Sequence, residues 1–166
     1  MQLPPVEVLL SWPTPNYVDP TDTRGPQLLI ITFIFFPIAL FFVALRMFTR
    51  LQISKSFGVD DVFLLAAIFP TTACAVLTSL AVQRWGWDRH IWDVHIDLLS
   101  LGLKLTIAME VLFGISVSFT KISLLILTRR IMVVGTGILR HVAAAGMVVV
   151  ACEGIIFCIV VIWTCR

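Results

Sequence analysis

Two carboxylic acids inside the apolar parts of this sequence are the first candidates for chemistry. Glu110 and Glu153 each interrupt a long apolar stretch, and an ionisable group at the centre of a bilayer costs about 2.5 to 3.5 kcal/mol unless something compensates. If these stretches meet the outer face of a membrane at Leu98 and Trp163, a rise of about 1.5 Å per residue places the carboxyls about 18 and 15 Å below it. Two carboxyls at similar depth predict a shared proton.

Two lysines offer Glu110 an alternative partner. Lys121 follows Glu110 by 11 residues, so that the two share a helix face but are separated by about 16 Å along the axis. Lys104 is nearer in depth but lies on another face. We expect both lysines to extend their ammonium groups to the nearest interface instead, Lys121 towards Arg129 and Arg130. Glu110 and Glu153 have no such route, and we expect polar contacts within a helix bundle for both.

The segment 84–97 concentrates aromatic and metal-binding residue types, with three of the five tryptophans and two of the three histidines. A metal site would use His90, Asp93, His95 and Asp97, but their spacing matches no zinc pattern. The order of Trp, His and Arg is typical of a membrane interface. We therefore predict no metal and no cofactor, and a loop that partly caps the outer side of the bundle.

The composition identifies the solvent in which these groups must be positioned. Of the 166 residues, 59% are apolar and only 13% are charged, whereas a soluble domain has about a quarter of its residues charged. These values exclude most soluble classes and disorder. The net charge of +2 is too small to indicate a nucleic-acid partner. We expect the lipid bilayer to be the main partner of this chain.

The spacing of the charges predicts an all-α membrane protein with four spans, since a spanning helix needs about 20 apolar residues. The four stretches are 26–45, 62–82, 98–127 and 142–163. Residues 1–25 are rich in proline, which predicts a short extended tail outside the bilayer. The domains are accordingly an extramembrane tail, 1–25, and a four-helix transmembrane domain, 26–166.

Lysine and arginine collect in alternate connections, which predicts the orientation. The first connection carries Arg46, Arg50 and Lys55, and the third carries Arg129, Arg130 and Arg140. The second connection and the tail balance their cations with acidic residues. We therefore expect loops one and three to face the cytoplasm, and the tail and loop two to lie outside.

Several motifs in series resemble the fungal rhodopsin-like domain of integral membrane proteins. They are the pair Arg46 and Arg50, Asp60-Asp61 at the start of span two, Trp85-Gly-Trp-Asp-Arg-His-Ile-Trp-Asp93 after it, and Phe119-Thr-Lys-Ile-Ser-Leu-Leu-Ile-Leu-Thr-Arg-Arg-Ile131 at the end of span three. The resemblance runs from about Arg46 to the C-terminus. It implies a fold of seven spans, so that this chain is expected to represent the first four, in the plasma membrane or an endomembrane. The family includes receptor-like proteins of pathogenic fungi and proteins encoded beside secondary-metabolite genes such as the satratoxin cluster.

Three functional hypotheses remain open. The first is a non-enzymatic, receptor-like protein that binds a small apolar ligand; the second is a membrane-embedded enzyme or accessory protein of secondary metabolism that uses Glu110 and Glu153 as proton donor and acceptor. The third is a truncated paralogue that is nonfunctional or depends on a second copy or a partner membrane subunit. The candidate ligand residues are Glu110, Glu153, His90 and Trp92. The candidate cytoplasmic motif is Arg46, Arg50, Asp60, Asp61, Lys121, Arg129 and Arg130.

Overall fold

The computed structural model describes residues 5–17, 23, 25–131 and 137–164, and these residues form helices and loops without any strand. One helical turn, α1 (Val6–Leu10), precedes four long helices: α2 (Gln27–Phe48), α3 (Val59–Trp85), α4 (Ile96–Ile131) and α5 (Gly137–Thr164). All four are long and apolar enough to cross a membrane. The predicted all-α, four-span fold class is confirmed.

The helices extend beyond the apolar stretches that predicted them. α4 has 36 residues and continues past its basic end to Ile131, and α5 begins at Gly137. A π-helical turn, Thr49–Ile53, prolongs α2, with the Ser54 N–H donating to the Thr49 carbonyl at 2.9 Å. Hydropathy marks only the lipid-immersed part of a helix, whereas backbone hydrogen bonding continues into the interface.

The tail does not match the predicted extended conformation. α1 begins directly after Pro5, as proline is tolerated at the start of a helix because its missing N–H has no helical partner there. Further along, the Asn16 N–H donates to Asp93 Oδ1 at 2.9 Å, and the Tyr17 ring stacks on His95 with 4.1 Å between centroids. The tail therefore contacts loop two, as expected if both lie on one side of the membrane.

The bundle buries small and polar side chains and exposes large apolar ones. α3 packs against both α2 and α4, and α4 packs against α5. Ala67 and Ala81 of α3 are buried, whereas Phe33 and Phe41 of α2 are more than 60% exposed. Such an arrangement is stable only where lipid covers the outward faces, since association of helices in lipid depends on close packing and polar contacts rather than on apolar burial.

Glycines set the register of α4 against α5. A Cβ at Gly114 would lie 2.6 Å from Phe157 Cδ1, and one at Gly154 would overlap Ser118. Small residues at these positions therefore allow the two helices to approach closely.

Pro70 lies inside α3, where it leaves the Ala66 carbonyl without its helical donor. Thr71 and Thr72 do not replace that donor: Thr71 Oγ1 donates to the Ala67 carbonyl at 2.7 Å and Thr72 Oγ1 to that of Ile68 at 2.8 Å. Thr71 also forms a hydroxyl pair with Ser116 of α4 at 2.5 Å, so this position joins two helices.

Candidate functional site

Two adjacent carboxylates at the start of α3 are the most deeply buried charged groups in the described chain. Asp60 and Asp61 are 1% and 0% exposed. Gly58, at the N-cap, donates its N–H to Asp61 Oδ2 at 3.1 Å. A carboxylate three residues after the cap satisfies a free backbone donor and lies at the positive end of the helix dipole. The local sequence alone therefore orients Asp61.

Two arginines neutralise these carboxylates: Arg46 of α2 and Arg50 of the π-helical turn that prolongs it. Arg46 bridges both, with Nη2 2.7 Å from Asp60 Oδ2 and Nε 3.1 Å from Asp61 Oδ1. Arg50 lies one turn further on the same helix face, 3.6 Å from Asp60 and 4.0 Å from Asp61. The planar guanidinium of arginine suits such a bridge because it presents several donors in a fixed fork.

α4 completes the group. Ser123 Oγ donates to the Asp60 carbonyl at 2.7 Å. Arg130 Nη1 donates to the Ser56 carbonyl at 3.0 Å and lies 3.6 Å from Asp60 Oδ1. We call the five charged residues the arginine–aspartate cluster: Arg46, Arg50, Asp60, Asp61 and Arg130.

The arginine–aspartate cluster ties α2, α3 and α4 together at the end that carries loops one and three. No buried side-chain nitrogen or oxygen among the described residues lacks a hydrogen-bond partner. Separation of α2 from α3 would leave the buried Asp61 carboxylate without a cation, which is strongly unfavourable. Displacement of α4 would remove Arg130 from Asp60. The cluster therefore holds the three helices together through ion pairs. It contains five of the seven predicted cytoplasmic motif residues.

The remaining two members of that predicted motif lie apart from the cluster. Arg129 makes no hydrogen bond or ion pair within the described residues. Lys121 does not extend to the interface as expected, because its Nζ lies 3.1 Å from both carboxylate oxygens of Glu153 on α5. This pair ties α5 to α4, so that charge contacts join all four long helices in sequence.

The carboxyls of Glu110 and Glu153 do not share a proton. Glu153 is level with Lys121, which is 11 residues from Glu110, or about 16 Å along α4. Glu110 is exposed and has no hydrogen-bond or ion-pair partner within the described residues. The predicted depths are wrong because the register set by Gly114 and Phe157 places Trp163 near the level of Ala108 rather than of Leu98.

The same geometry separates the proton donor and acceptor of the enzyme hypothesis. At about 16 Å, neither carboxyl reaches the other directly or through one water. The pair Lys121–Glu153 instead lies about 3 Å along α4 from Ser123, which contacts the first turn of α3. It is therefore close to the predicted cytoplasmic end of the bundle.

An apolar cleft of about 280 Å³ lies between α4 and α5 beside this ion pair. Its walls include Phe113, Val117 and Phe157, and Lys121 and Glu153 form its polar end. The Lys121 and Glu153 side chains are 44% and 60% exposed. The cleft is open to the lipid-facing side and offers one cation and one anion to a bound molecule.

The predicted ligand residues are not brought together. His90 and Trp92 lie in loop two, where their rings stack on each other with 4.5 Å between centroids. His95 stacks on Tyr17, and Asp93 accepts the Asn16 N–H; the Asp97 side chain, like that of Arg140, lies outside the described residues. Only Glu153 of the four ligand candidates lines the cleft.

Gly58 and Ser123 contact the arginine–aspartate cluster and were not predicted. Gly58 could have been found from its spacing, since an acidic residue three positions after a glycine at a helix start is a capping pattern. No sequence signal distinguishes Ser123 from the other hydroxyls of α4, because its partner is a carbonyl of another helix.

Comparison with known protein families identifies a match over the residues described above. The family model of the fungal rhodopsin domain matches residues 45–166, the range that contains the cluster, loop two and the α4–α5 cleft. Among curated proteins and solved structures, none matches the chain significantly. The family match covers most of the chain and coincides with the range of the predicted resemblance. This multi-pass membrane protein therefore belongs to the fungal rhodopsin domain family.

Proposed function

We propose that this chain is a receptor-like membrane protein that binds a small apolar molecule in the cleft between α4 and α5. The observation that supports the proposal is the Lys121–Glu153 pair at the edge of an apolar cleft of about 280 Å³. Charged side chains within membrane spans generally mark functional contacts. A neutral pair offers a donor and an acceptor to a polar atom of a ligand whose body packs on Phe113 and Phe157.

The receptor-like part of the proposal rests on the neighbouring arginine–aspartate cluster. α4 carries both Lys121, which faces α5, and Ser123, which contacts α3. A molecule that shifts α4 relative to α5 therefore also moves Ser123, the residue of α4 that donates to the Asp60 carbonyl on α3. Switching proteins use bistable contacts of this kind between packed helices.

The proposal includes the membrane topology and the location of the chain. The tail, 1–25, is extramembrane, and 26–166 forms the transmembrane domain with loops one and three in the cytoplasm. The membrane is the plasma membrane or an endomembrane. Glu110, His90 and Trp92 lie too far from Glu153 to contact the same small molecule.

Binding is tested with the neutral fluorophore N-phenyl-1-naphthylamine added to protein in nanodiscs. Val117→Trp fills the cleft, and Leu124→Trp, on an exposed part of α4 outside it, is the matched control. We expect saturable binding by the parent chain and by Leu124→Trp, and its loss in Val117→Trp. Equal signals from both variants, or signal that grows only in proportion to lipid, would contradict the proposal.

Coupling to the cluster is tested in the same sample by spin labels at positions 54 and 131, in a background without cysteine. Both positions are exposed and lie at the cluster end of the bundle. Under saturating fluorophore we expect a shifted distance distribution for the parent chain and an unshifted one for Val117→Trp. If the fluorophore binds but the distance distribution does not shift, the protein binds apolar molecules without a receptor-like role.

A further inference from the structure

Two clefts meet at the opposite end of the bundle, where α3 ends and α4 begins. One has a volume of about 220 Å³ and the other about 270 Å³. They share one wall, made by Trp85, Gly86, Arg89, Val94 and Leu98. The shared residues place the two spaces side by side.

The first cleft is apolar and aromatic. Trp87 lies against Gly102 of α4, and a Cβ at Gly102 would be 3.5 Å from the indole Nε1. Leu103 and Ile91 complete the apolar lining. Gly102 is buried, and its missing side chain lets Trp87 pack directly on α4 in the wall of this cleft.

The second cleft is polar, and most of its charges already have partners. Asp93 accepts the Asn16 N–H at 2.9 Å. Asp88 lies 3.9 Å from Arg89, whose Nη1 also donates to the Tyr17 carbonyl at 3.2 Å. Arg84, by contrast, makes no hydrogen bond or ion pair within the described residues, although it lines this cleft. Arg84 is therefore available to a ligand in the polar cleft.

The tail forms part of the wall of the polar cleft. Tyr17 belongs to its lining and is held in place by stacking on His95 with an interplanar angle of 14°. The tail is also held by the Asn16 N–H, which donates to the buried carboxylate of Asp93.

We infer that these adjacent clefts form one binding site for a small aromatic anion, with its ring in the apolar cleft beside Trp85 and Trp87 and its carboxylate on Arg84. Arginine binds carboxylates through two parallel, charge-assisted hydrogen bonds. Arg84 also lies in the last turn of α3, where its positive charge complements the helix dipole. That alternative role would not depend on either cleft. The inference is independent of the α4–α5 cleft.

The test uses dansylglycine and its neutral amide with the full chain in nanodiscs, and energy transfer from tryptophan to the dansyl group as readout. Trp85 and Trp87 line the site, so a bound dansyl ring lies close to donors. Arg84→Gln is expected to weaken dansylglycine binding at least about tenfold and to leave the amide nearly unchanged, because only the carboxylate forms charge-assisted bonds. Gly102→Leu is expected to weaken both.

Lys104→Gln is the matched control, because it removes an exposed cation from α4 outside both clefts. Equal loss of dansylglycine binding in Arg84→Gln and Lys104→Gln would show a general charge effect and overturn the inference, as would non-saturable transfer in the parent chain. Val117→Trp should bind dansylglycine normally. That result separates a failure of this site from a failure of the cleft between α4 and α5.

Discussion

The two ends of this bundle are held together by different kinds of contact. At the end with loops one and three, two fully buried carboxylates are matched by three arginines from two other helices. At the end with loop two, the tail and loop are joined by ring stacking and by single hydrogen bonds. A buried charge is costly when its partner leaves, whereas a stacked ring is not. We therefore expect substitutions at the first end to destabilise the protein more than substitutions at the second.

The largest expected effect comes from removing one buried carboxylate. Asp61→Ala deletes the acceptor of the Gly58 N–H and the partner of Arg46, and we expect a loss of about 3 to 5 kcal/mol. The measurement is the fraction of monodisperse protein in detergent after heating. Asp88→Ala, in loop two with its carboxylate 3.9 Å from Arg89, is the control for the opposite end. Similar losses from the two substitutions would erase the contrast between the ends.

The packing between α4 and α5 should show the next largest effect. Gly154→Ala places a Cβ onto Ser118, and overpacking of this kind costs about 1 to 3 kcal/mol. Gly146→Ala is the matched control, since its Cβ would lie at an ordinary distance of 3.6 Å from Leu125. Thermal denaturation followed by tryptophan fluorescence should separate the two variants. Recovery in Gly154→Ala with Ser118→Gly would identify the collision as the cause.

A smaller effect is expected from the hydroxyl that joins α4 to the cluster. Ser123→Ala removes the donor to the Asp60 carbonyl, and the net loss for one buried hydrogen bond is about 1 kcal/mol. Ser118→Ala is the control because its hydroxyl donates only to Gly114 within α4. If denaturation shows the same loss for both, the link between α4 and α3 does not depend on Ser123.

The smallest effect on stability is expected at the loop-two end. Tyr17→Ala removes the stack on His95, worth about 0.5 to 1.5 kcal/mol, and acts on the tail rather than on the bundle. Hydrogen exchange of residues 5–17 should accelerate, while exchange in α3 and α4 stays unchanged. Faster exchange throughout the bundle would show that the tail supports the whole fold and is not a local closure.

Much of the architecture was predictable because it depends on composition and local spacing. Long apolar runs with few charges predicted four spans, and the motif Asp60-Asp61 predicted a charged group at the end of span two that meets loop one. The capping contact of Asp61 is local as well. The partners of Glu153 and the separation of Glu110 from it were not predictable, because depths counted from each helix separately contain no information on how far one helix slides along the next.

The sequence by itself determined that this chain lies in lipid as four helices, and which ends of those helices carry the charges. Long apolar runs with few charges are stable as helices that cross a bilayer. Only the tertiary structure decided that Lys121 pairs with Glu153, that Ser123 contacts Asp60, and that the tail contacts loop two. The axial shift between neighbouring helices is set by close contacts such as Gly114 with Phe157. Those contacts join residues far apart in the chain, so no local pattern encodes them.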